Sequence, residues 1–132
     1  MSNKNSIYII DDDPIFRLIT RKLLEKRGDY ANISFFENGQ KGVNALGEQF
    51  STNKEDAPGT IFLDIEMPVM NGWEFMDAFE KFPEELTKDI DVYIVSSSIA
   101  DEDKQRASTY ASIKDYFVKP LTIEILERIK PV

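Results

Sequence analysis

Residues with reactive or ligand-forming side chains follow several apolar runs of this sequence. Three consecutive aspartates, Asp11 to Asp13, come directly after "YII", and Asp64 comes after "TIFL". Ser96 to Ser98 follow "VYIV", and Lys119, with Pro120 after it, follows "YFV". Carboxylates suit a hard cation such as Mg²⁺, and a carboxylate can also attack a phosphoryl group. A metal ion, a lysine and a hydroxyl would then neutralise the charge of the transferred group.

Several other chemistries are excluded because the chain contains no cysteine and no histidine. Without cysteine there is no disulfide framework and no cysteine-based metal site. Without histidine the commonest general base is absent, and so is every catalytic triad that needs one. The remaining candidates are carboxylates, hydroxyls, lysines and metal ions.

The size and charge of the chain limit its organisation and its partners. A length of 132 residues is typical of one domain with its own core. The formal net charge of -8 disfavours a nucleic-acid partner, because an acidic domain repels phosphate backbones. The first residues, "MSNKNS", contain no apolar signal region, and no apolar stretch reaches the ~18 residues of a membrane helix. We expect a cytoplasmic protein with no membrane partner.

Five short apolar runs rich in β-branched and aromatic residues predict five strands. They are "SIYII", "ANISFF", "TIFLD", "DVYIVSSS" and "KDYFVKP", and a predicted helix follows each of them. Strands that alternate with helices pair in parallel through right-handed crossovers. Continuous apolar strands agree with this, because a parallel sheet is covered on both faces. The predicted fold class is therefore α/β.

The first predicted helix has clear signals at both ends. Asp13 is a candidate N-cap and Pro14 fits the first turn, while Gly28 can close the helix. The apolar residues that share one side by helical spacing are Ile15, Leu18, Ile19 and Leu23. We expect this side to face the sheet.

The strand ends predict where the reactive residues meet. In an open parallel α/β sheet, ligands bind outside the carboxyl ends of the strands. The predicted strands bring Asp11, Asp12 and Asp64 to that edge, with the serines after the fourth strand and Lys119 after the fifth. Asp64 follows the most apolar strand, so we expect it at the centre of the sheet. The aspartate triplet alone is also typical of a solvated turn with a helix cap.

Four motifs in this order, "IIDDDP", "FLDIEMPVMNG", "VSSS" and "YFVKP", closely resemble the receiver domain of two-component response regulators. The resemblance extends from about Ser6 to Ile129, and the chain is most similar to single-domain, chemotaxis-type receivers. It implies a flavodoxin-like, doubly wound, five-stranded parallel sheet with strand order 2-1-3-4-5 and a (βα)5 repeat. Residues 1–132 are accordingly interpreted as one receiver domain with no output domain.

The resemblance also implies roles for individual residues. Asp64 corresponds to the phosphoacceptor, and Lys119 would hold the phosphoryl oxygens. The Lys119–Pro120 peptide bond would be cis. The implied Mg²⁺ ligands are Asp11, Asp12, Asp64 and the backbone carbonyl of Glu66.

A hydroxyl residue and an aromatic residue form the switch that the resemblance implies. Tyr116 would turn inward when the hydroxyl moves toward the phosphate, although its position also fits a core residue. The end of the fourth strand favours Ser96 as the hydroxyl. The spacing to Lys119 is one residue longer than usual in the family, which favours Ser97 instead. We prefer Ser96.

The resemblance implies a stand-alone signalling protein. A histidine kinase or histidine phosphotransfer protein would donate the phosphoryl group, and a downstream protein target or a phosphorelay would receive the signal. Such a protein catalyses only its own phosphoryl transfer and autodephosphorylation, and we expect a monomer before phosphorylation. One alternative is an aspartyl-phosphate phosphatase of the haloacid-dehalogenase type, which needs a second aspartate where Glu66 stands. Another is a receiver fold that acts without phosphorylation.

Overall fold

The five apolar runs form the strands of one parallel sheet in a computed structural model that describes residues 3–129. The strands are β1 (Asn3–Ile10), β2 (Asn32–Phe36), β3 (Pro58–Leu63), β4 (Asp91–Ser96) and β5 (Ile113–Val118). Their order across the sheet is β2-β1-β3-β4-β5, and every neighbouring pair is parallel. The predicted fold class and strand order are confirmed.

Within residues 3–129 the structure has one α-helix more than the sequence pattern predicts, and a 3-10 helix (Lys54–Asp56) precedes β3. The helices are α1 (Pro14–Arg27), α2 (Gly39–Thr52), α3 (Gly72–Phe79), α4 (Glu84–Thr87), α5 (Asp101–Ala107) and α6 (Ile123–Ile129). The additional α-helix is α4, a single turn that begins directly after Pro83, its N-cap residue. The predicted fourth helix is α5. Within residues 3–129, none of the helices has both the length and the apolar character needed to cross a membrane.

Both faces of the sheet are covered, because successive side chains of a strand point to opposite faces. On one face, Ile10 belongs to the same buried cluster as Phe79 of α3. On the other face, Ile9 belongs to a cluster with Leu24 of α1 and Leu126 of α6. β3 is buried along its whole length. The carboxyl ends of the central strands therefore project from a close-packed layer and have little freedom to move.

The predicted ends of α1 are confirmed. The Asp13 side chain accepts a hydrogen bond of 2.9 Å from the Ile15 N–H, as an N-cap does. Gly28 has a φ of 70°, and its N–H donates to the Leu24 carbonyl. Glycine adopts this left-handed conformation without strain, and the helix ends there.

The predicted buried side of α1 is wrong. Ile15, Leu18 and Ile19 are exposed by 68%, 52% and 50%, and Leu23 is only partly buried. The residues of α1 that are buried are Phe16, Thr20 and Leu24. Both sets have helical spacing, so the sequence offers two apolar sides to the sheet. The second side faces the sheet, where Phe16 and Leu24 belong to one buried cluster with Ile9 of β1.

Candidate functional site

The sheet brings the predicted site residues to its carboxyl edge. Asp11 follows β1, Asp64 follows β3 and Lys119 follows β5, while Ser96 is the last residue of β4. Backbone hydrogen bonds continue past the strand ends: the Asp64 N–H donates to the Ile10 carbonyl at 3.0 Å, and the Lys119 N–H donates to the Ser96 carbonyl at 2.9 Å. These bonds hold the residues in fixed register with the neighbouring strands.

Three carboxylates converge at this edge. Oxygens of Asp11, Asp12 and Asp64 all lie within 4.8 Å of one another. The Asp11 and Asp64 side chains are buried and Asp12 is exposed. At such separations each pair of like charges repels by about 3 kcal/mol near a protein surface. A cluster of this kind is stable only with nearby positive charge or with a raised pKa.

The arrangement fits a divalent cation with oxygen ligands. Asp11 Oδ2 is fully buried and has no hydrogen-bond partner among the described residues. Lys119 Nζ lies 2.8 Å from this oxygen. The two atoms form an ion pair, but their angles are not those of a hydrogen bond. The exposed Asp12 leaves one side of the cluster open to solvent, as a magnesium site that retains water ligands requires.

Lys119 supplies the positive charge of the site. Its ammonium lies 2.8 Å from Asp11 Oδ2, 3.7 Å from Asp64 Oδ2 and 4.3 Å from the centre of the Phe16 ring. Burial disfavours the charged form, but the neighbouring carboxylates outweigh it and raise the pKa of Lys119. The lysine is therefore a permanent cation at neutral pH.

Asp64 has the properties expected of a nucleophilic carboxylate. Burial, followed by the negative charge of Asp11, raises the pKa of Asp64 to about 6. Its Oδ1 accepts a 2.8 Å hydrogen bond from the Ile65 N–H, which orients the carboxylate. The carboxyl group is ionised at neutral pH, but its surroundings stabilise the ionised form poorly. A perturbed carboxyl at a sheet edge is a functional-site candidate on physical grounds.

The loop between β3 and α3, residues 64–71 (the β3–α3 loop), depends on a close backbone approach. The Gly72 N–H donates to the Ile65 carbonyl at 2.8 Å. A Cβ at position 72 would collide with the Asp64 carbonyl oxygen and with the backbone of Ile65. Glu66 is exposed beside a groove of about 570 Å³ that Met67 and Trp73 also line. The motif "MNG" is the sequence signal for this turn.

The candidate switch residues lie on β4 and β5. Ser96 is buried, and its hydroxyl accepts a 3.1 Å hydrogen bond from the Ser98 N–H, whereas Ser97 is exposed. Tyr116 is partly buried, and its hydroxyl donates to the Ser98 carbonyl at 2.8 Å. The Lys119–Pro120 peptide bond is cis. Of the two candidate serines, Ser96 is the one enclosed at the sheet edge.

Sequence reasoning missed two residues that contact this region. Arg17 Nη1 donates to the Asp11 carbonyl at 2.6 Å, and Trp73 lies directly after the glycine that touches the Asp64 backbone. The sequence analysis assigned no role in the site to Arg17 or to Trp73. No local pattern reveals contacts of this kind.

Residues 7–130 match the family described as the response regulator receiver domain. The chain belongs to this family. A solved structure of a two-component response regulator from Cytophaga hutchinsonii is similar to this receiver with a TM-score of 0.85 and 28% identity, over 93% of this chain and 91% of that one. Protein PilH from Pseudomonas aeruginosa is 32% identical over 120 residues, which are 91% of this chain and 89% of that protein.

Some relatives are much longer than this receiver. The hybrid signal transduction histidine kinase C of Dictyostelium discoideum is 30% identical over 126 residues, which are 93% of this chain but 10% of that protein. The chain spans 10%, 47% and 15% of the lengths of the first three curated relatives. The matches identify the chain as a signalling receiver with the flavodoxin-like fold. They link it to two-component systems, in which receivers act with histidine kinases.

Proposed function

We propose that this receiver accepts a phosphoryl group on Asp64 from a partner histidine kinase or histidine phosphotransfer protein, in a Mg²⁺-dependent reaction. The proposal rests on the arrangement of charged side chains at the carboxyl edge of the sheet. Three carboxylates have oxygens within 4.8 Å of one another, and an ammonium lies 3.7 Å from Asp64. This combination offers a nucleophile, a cation site and a charge for the phosphoryl oxygens in one place. The signal then passes to a downstream protein by contact or by phosphorelay.

The nucleophile in this proposal is a carboxylate oxygen of Asp64. It attacks the phosphorus of a phosphohistidine on the partner. A P–O bond forms as the P–N bond breaks, and the imidazole leaves with the electron pair and takes up a proton from solvent. The chain contains no histidine, so the donor imidazole belongs to the partner. Water later attacks the acyl phosphate and regenerates the carboxylate, so the chain catalyses only its own phosphoryl transfer and its own dephosphorylation.

The cation ligands in this proposal are Asp11, Asp12, Asp64 and the backbone carbonyl of Glu66. When bound, Mg²⁺ would offset the repulsion among the carboxylates and neutralise charge on the phosphoryl oxygens. Lys119 would contact the phosphoryl oxygens, since its ammonium already lies 3.7 Å from Asp64 Oδ2.

The switch in this proposal consists of Ser96 and Tyr116. The Ser96 hydroxyl accepts from the Ser98 N–H and keeps its own proton to donate to a phosphoryl oxygen, so a movement of Ser96 toward that oxygen would carry with it the residues that follow β4. Tyr116 responds because its hydroxyl is bonded to the Ser98 carbonyl. The response then reaches α5, β5 and α6, the surface through which the resemblance implies that partners recognise the phosphorylated state.

The experiment that tests the proposal measures the intact mass of the protein after incubation with Mg²⁺ and acetyl phosphate. We expect one added phosphoryl group in the wild type and none in Asp64→Asn. The matched control is Asp56→Asn, at the opposite end of β3, which should gain the phosphoryl group normally. Chelation of Mg²⁺ should abolish the reaction in both proteins that carry Asp64.

Two results would contradict the proposal. An unmodified mass with several phosphodonors and with a kinase would indicate a receiver fold that acts without phosphorylation. Multiple turnover on general phosphate esters would indicate the phosphatase alternative. The family match gives that alternative no support, and Glu66 occupies the position where it needs a second aspartate.

A further inference from the structure

Trp73 connects the β3–α3 loop to a distant part of the chain. It is the only tryptophan in the sequence, and its side chain is buried at the start of α3. The preceding Gly72 packs against the Asp64 backbone and bonds the Ile65 carbonyl. Trp73 therefore directly follows a residue, Gly72, that is in close contact with the backbone of the candidate phosphoacceptor Asp64.

The side chains that contact the indole come from the carboxyl end of α5 and the turn after it. The Tyr110 ring is stacked on Trp73, with centroids 5.9 Å apart and an interplanar angle of 8°. Arg106 Cζ lies 5.1 Å from the centre of the Trp73 ring. The Tyr110 hydroxyl donates a 2.8 Å hydrogen bond to Asp77 Oδ1 on α3. Stacking, cation–π and hydrogen-bond contacts thus join the two helices at one place.

The rest of α5 is weakly held. The helix has 7 residues, its only buried residue is Ala107, and no side chain caps its start. At its amino-terminal end, Ser98 Oγ donates a 2.6 Å hydrogen bond to Asp103 Oδ2 and accepts one of 3.2 Å from the Ala100 N–H. So short a helix is not stable in water by itself. Its order and position must depend largely on the contacts at Trp73 and Ser98.

We propose that Trp73, Tyr110, Arg106 and Asp77 form a clamp that fixes α5 against α3 and thereby sets how far α5 responds to the phosphoryl site. One end of the clamp is tied to the Asp64 backbone through Gly72. The other end holds the helix that follows the candidate switch serines. The holding of α5 at rest does not depend on phosphorylation. The effect on the response rests on the proposed function.

Hydrogen–deuterium exchange of the α5 amides tests the resting clamp. In Tyr110→Leu, which removes the stack and the bond to Asp77, we expect exchange of α5 to rise about tenfold while β2 is unchanged. Tyr110→Phe keeps the ring and should give a smaller increase, about threefold. Lys104→Ala, an exposed residue of the same helix, is the control and should leave exchange as in the wild type. Unchanged exchange of α5 in Tyr110→Leu, or an equal rise in β2, would overturn the clamp.

Fluorescence of the single tryptophan tests the coupling to the site. We add Mg²⁺ and beryllofluoride, a phosphoryl analogue, and measure Trp73 emission and its quenching by acrylamide. We expect both to change in the wild type, to stay constant in Asp64→Asn, and to change by less than half as much in Tyr110→Leu. If the analogue binds, as shown by mass spectrometry under native conditions, but the emission of Trp73 does not change, the coupling is refuted. If the analogue does not bind, the proposed function is at fault, and the exchange experiment still decides on the clamp.

Discussion

The two segments that leave the sheet beside Asp64 are held in different ways. The β3–α3 loop is fixed by backbone bonds, from Asp64 to Ile10 and from Gly72 to Ile65, and a capping box between Asn71 and Glu74 starts α3. The segment after β4, residues 97–110, is held mainly by side chains: Ser98 to Asp103, Tyr116 to the Ser98 carbonyl, and Tyr110 to Trp73.

Under the proposed function, this difference separates two tasks on one sheet edge. Phosphoryl transfer needs reacting groups that are held in a fixed geometry. Backbone hydrogen bonds provide this geometry because they do not change when side chains change rotamer. A signalling response needs an element with little local stability, which can move without unfolding the domain. The following substitutions test whether the loop after β3 is the rigid segment and the segment after β4 the adjustable one.

The largest effect is expected for Gly72→Ala. The new Cβ would collide with the Asp64 and Ile65 backbone, which has no flexible neighbour that can yield. We expect the free energy of unfolding to fall by at least about 3 kcal/mol in urea titrations. The control is Gly47→Ala within α2, where a Cβ meets only the Phe82 ring at 3.9 Å, and it should be neutral or stabilising by about 0.5–1 kcal/mol. Equal stabilities for the two variants would show that the loop is not rigid.

The next effect is electrostatic and depends on pH. The pKa of Asp64 is raised to about 6 in the folded protein, because burial and then Asp11 disfavour its ionised form. The folded state therefore binds this proton more tightly than the unfolded state does, and stability falls as pH rises from about 4 through 6. Without metal, Asp64→Asn should stabilise the protein by about 2 kcal/mol at pH 8 and by nothing below about pH 3.5.

Urea titrations at several pH values measure this difference. Added Mg²⁺ should stabilise the wild type more than Asp64→Asn, since the variant loses one carboxylate of the cluster. A variant that is less stable than the wild type at pH 8 without metal would show that Lys119 already compensates the cluster.

A smaller effect is expected at Val69 in the β3–α3 loop. This valine has a φ of 73°, a conformation that disfavours β-branched residues, and its side chain is 79% exposed. Val69→Gly should raise the free energy of unfolding by about 0.5–1 kcal/mol, the released strain being partly offset by the greater entropy of the unfolded chain. Val69→Ala retains a Cβ in the same conformation and should gain less. Destabilisation by glycine would indicate that the valine side chain has contacts that outweigh the strain.

The smallest effect on stability is expected for Ser98→Ala, in the adjustable segment. Its hydroxyl donates to Asp103 and accepts from the Ala100 N–H, and both partners can turn to water. We expect a loss of about 0.5 kcal/mol in urea titrations. A loss as large as that of Gly72→Ala would mean that both segments are equally rigid, and the contrast between them would fail.

Local sequence signals located most of the candidate site. Asp11, Asp64, Ser96 and Lys119 end or follow apolar runs, and strand ends in a parallel sheet share one edge. Asp13 and Gly28 were identified as helix ends because capping depends on one side chain or one backbone conformation. These features rest on interactions over a few residues, and the sequence displays them directly.

Other features depend on contacts between distant segments. The buried side of α1 was predicted wrongly, since its Ile15 side and its Phe16 side have the same helical spacing. Trp73 lies between β3 and β4, and Tyr110 lies between β4 and β5. Their contact therefore leaves no periodic pattern in the sequence.

The sequence by itself determined the α/β repeat, the strand order implied by its motifs, and the residues delivered to the carboxyl edge. It could do so because apolar runs, caps and turn residues act locally. Only the tertiary structure decided that Lys119 pairs more closely with Asp11 than with Asp64, that burial raises the pKa of Asp64, and that Tyr110 stacks on Trp73. These properties depend on the distances between residues of separate segments and on how deeply those residues are buried. Both are set only when the helices pack against the sheet.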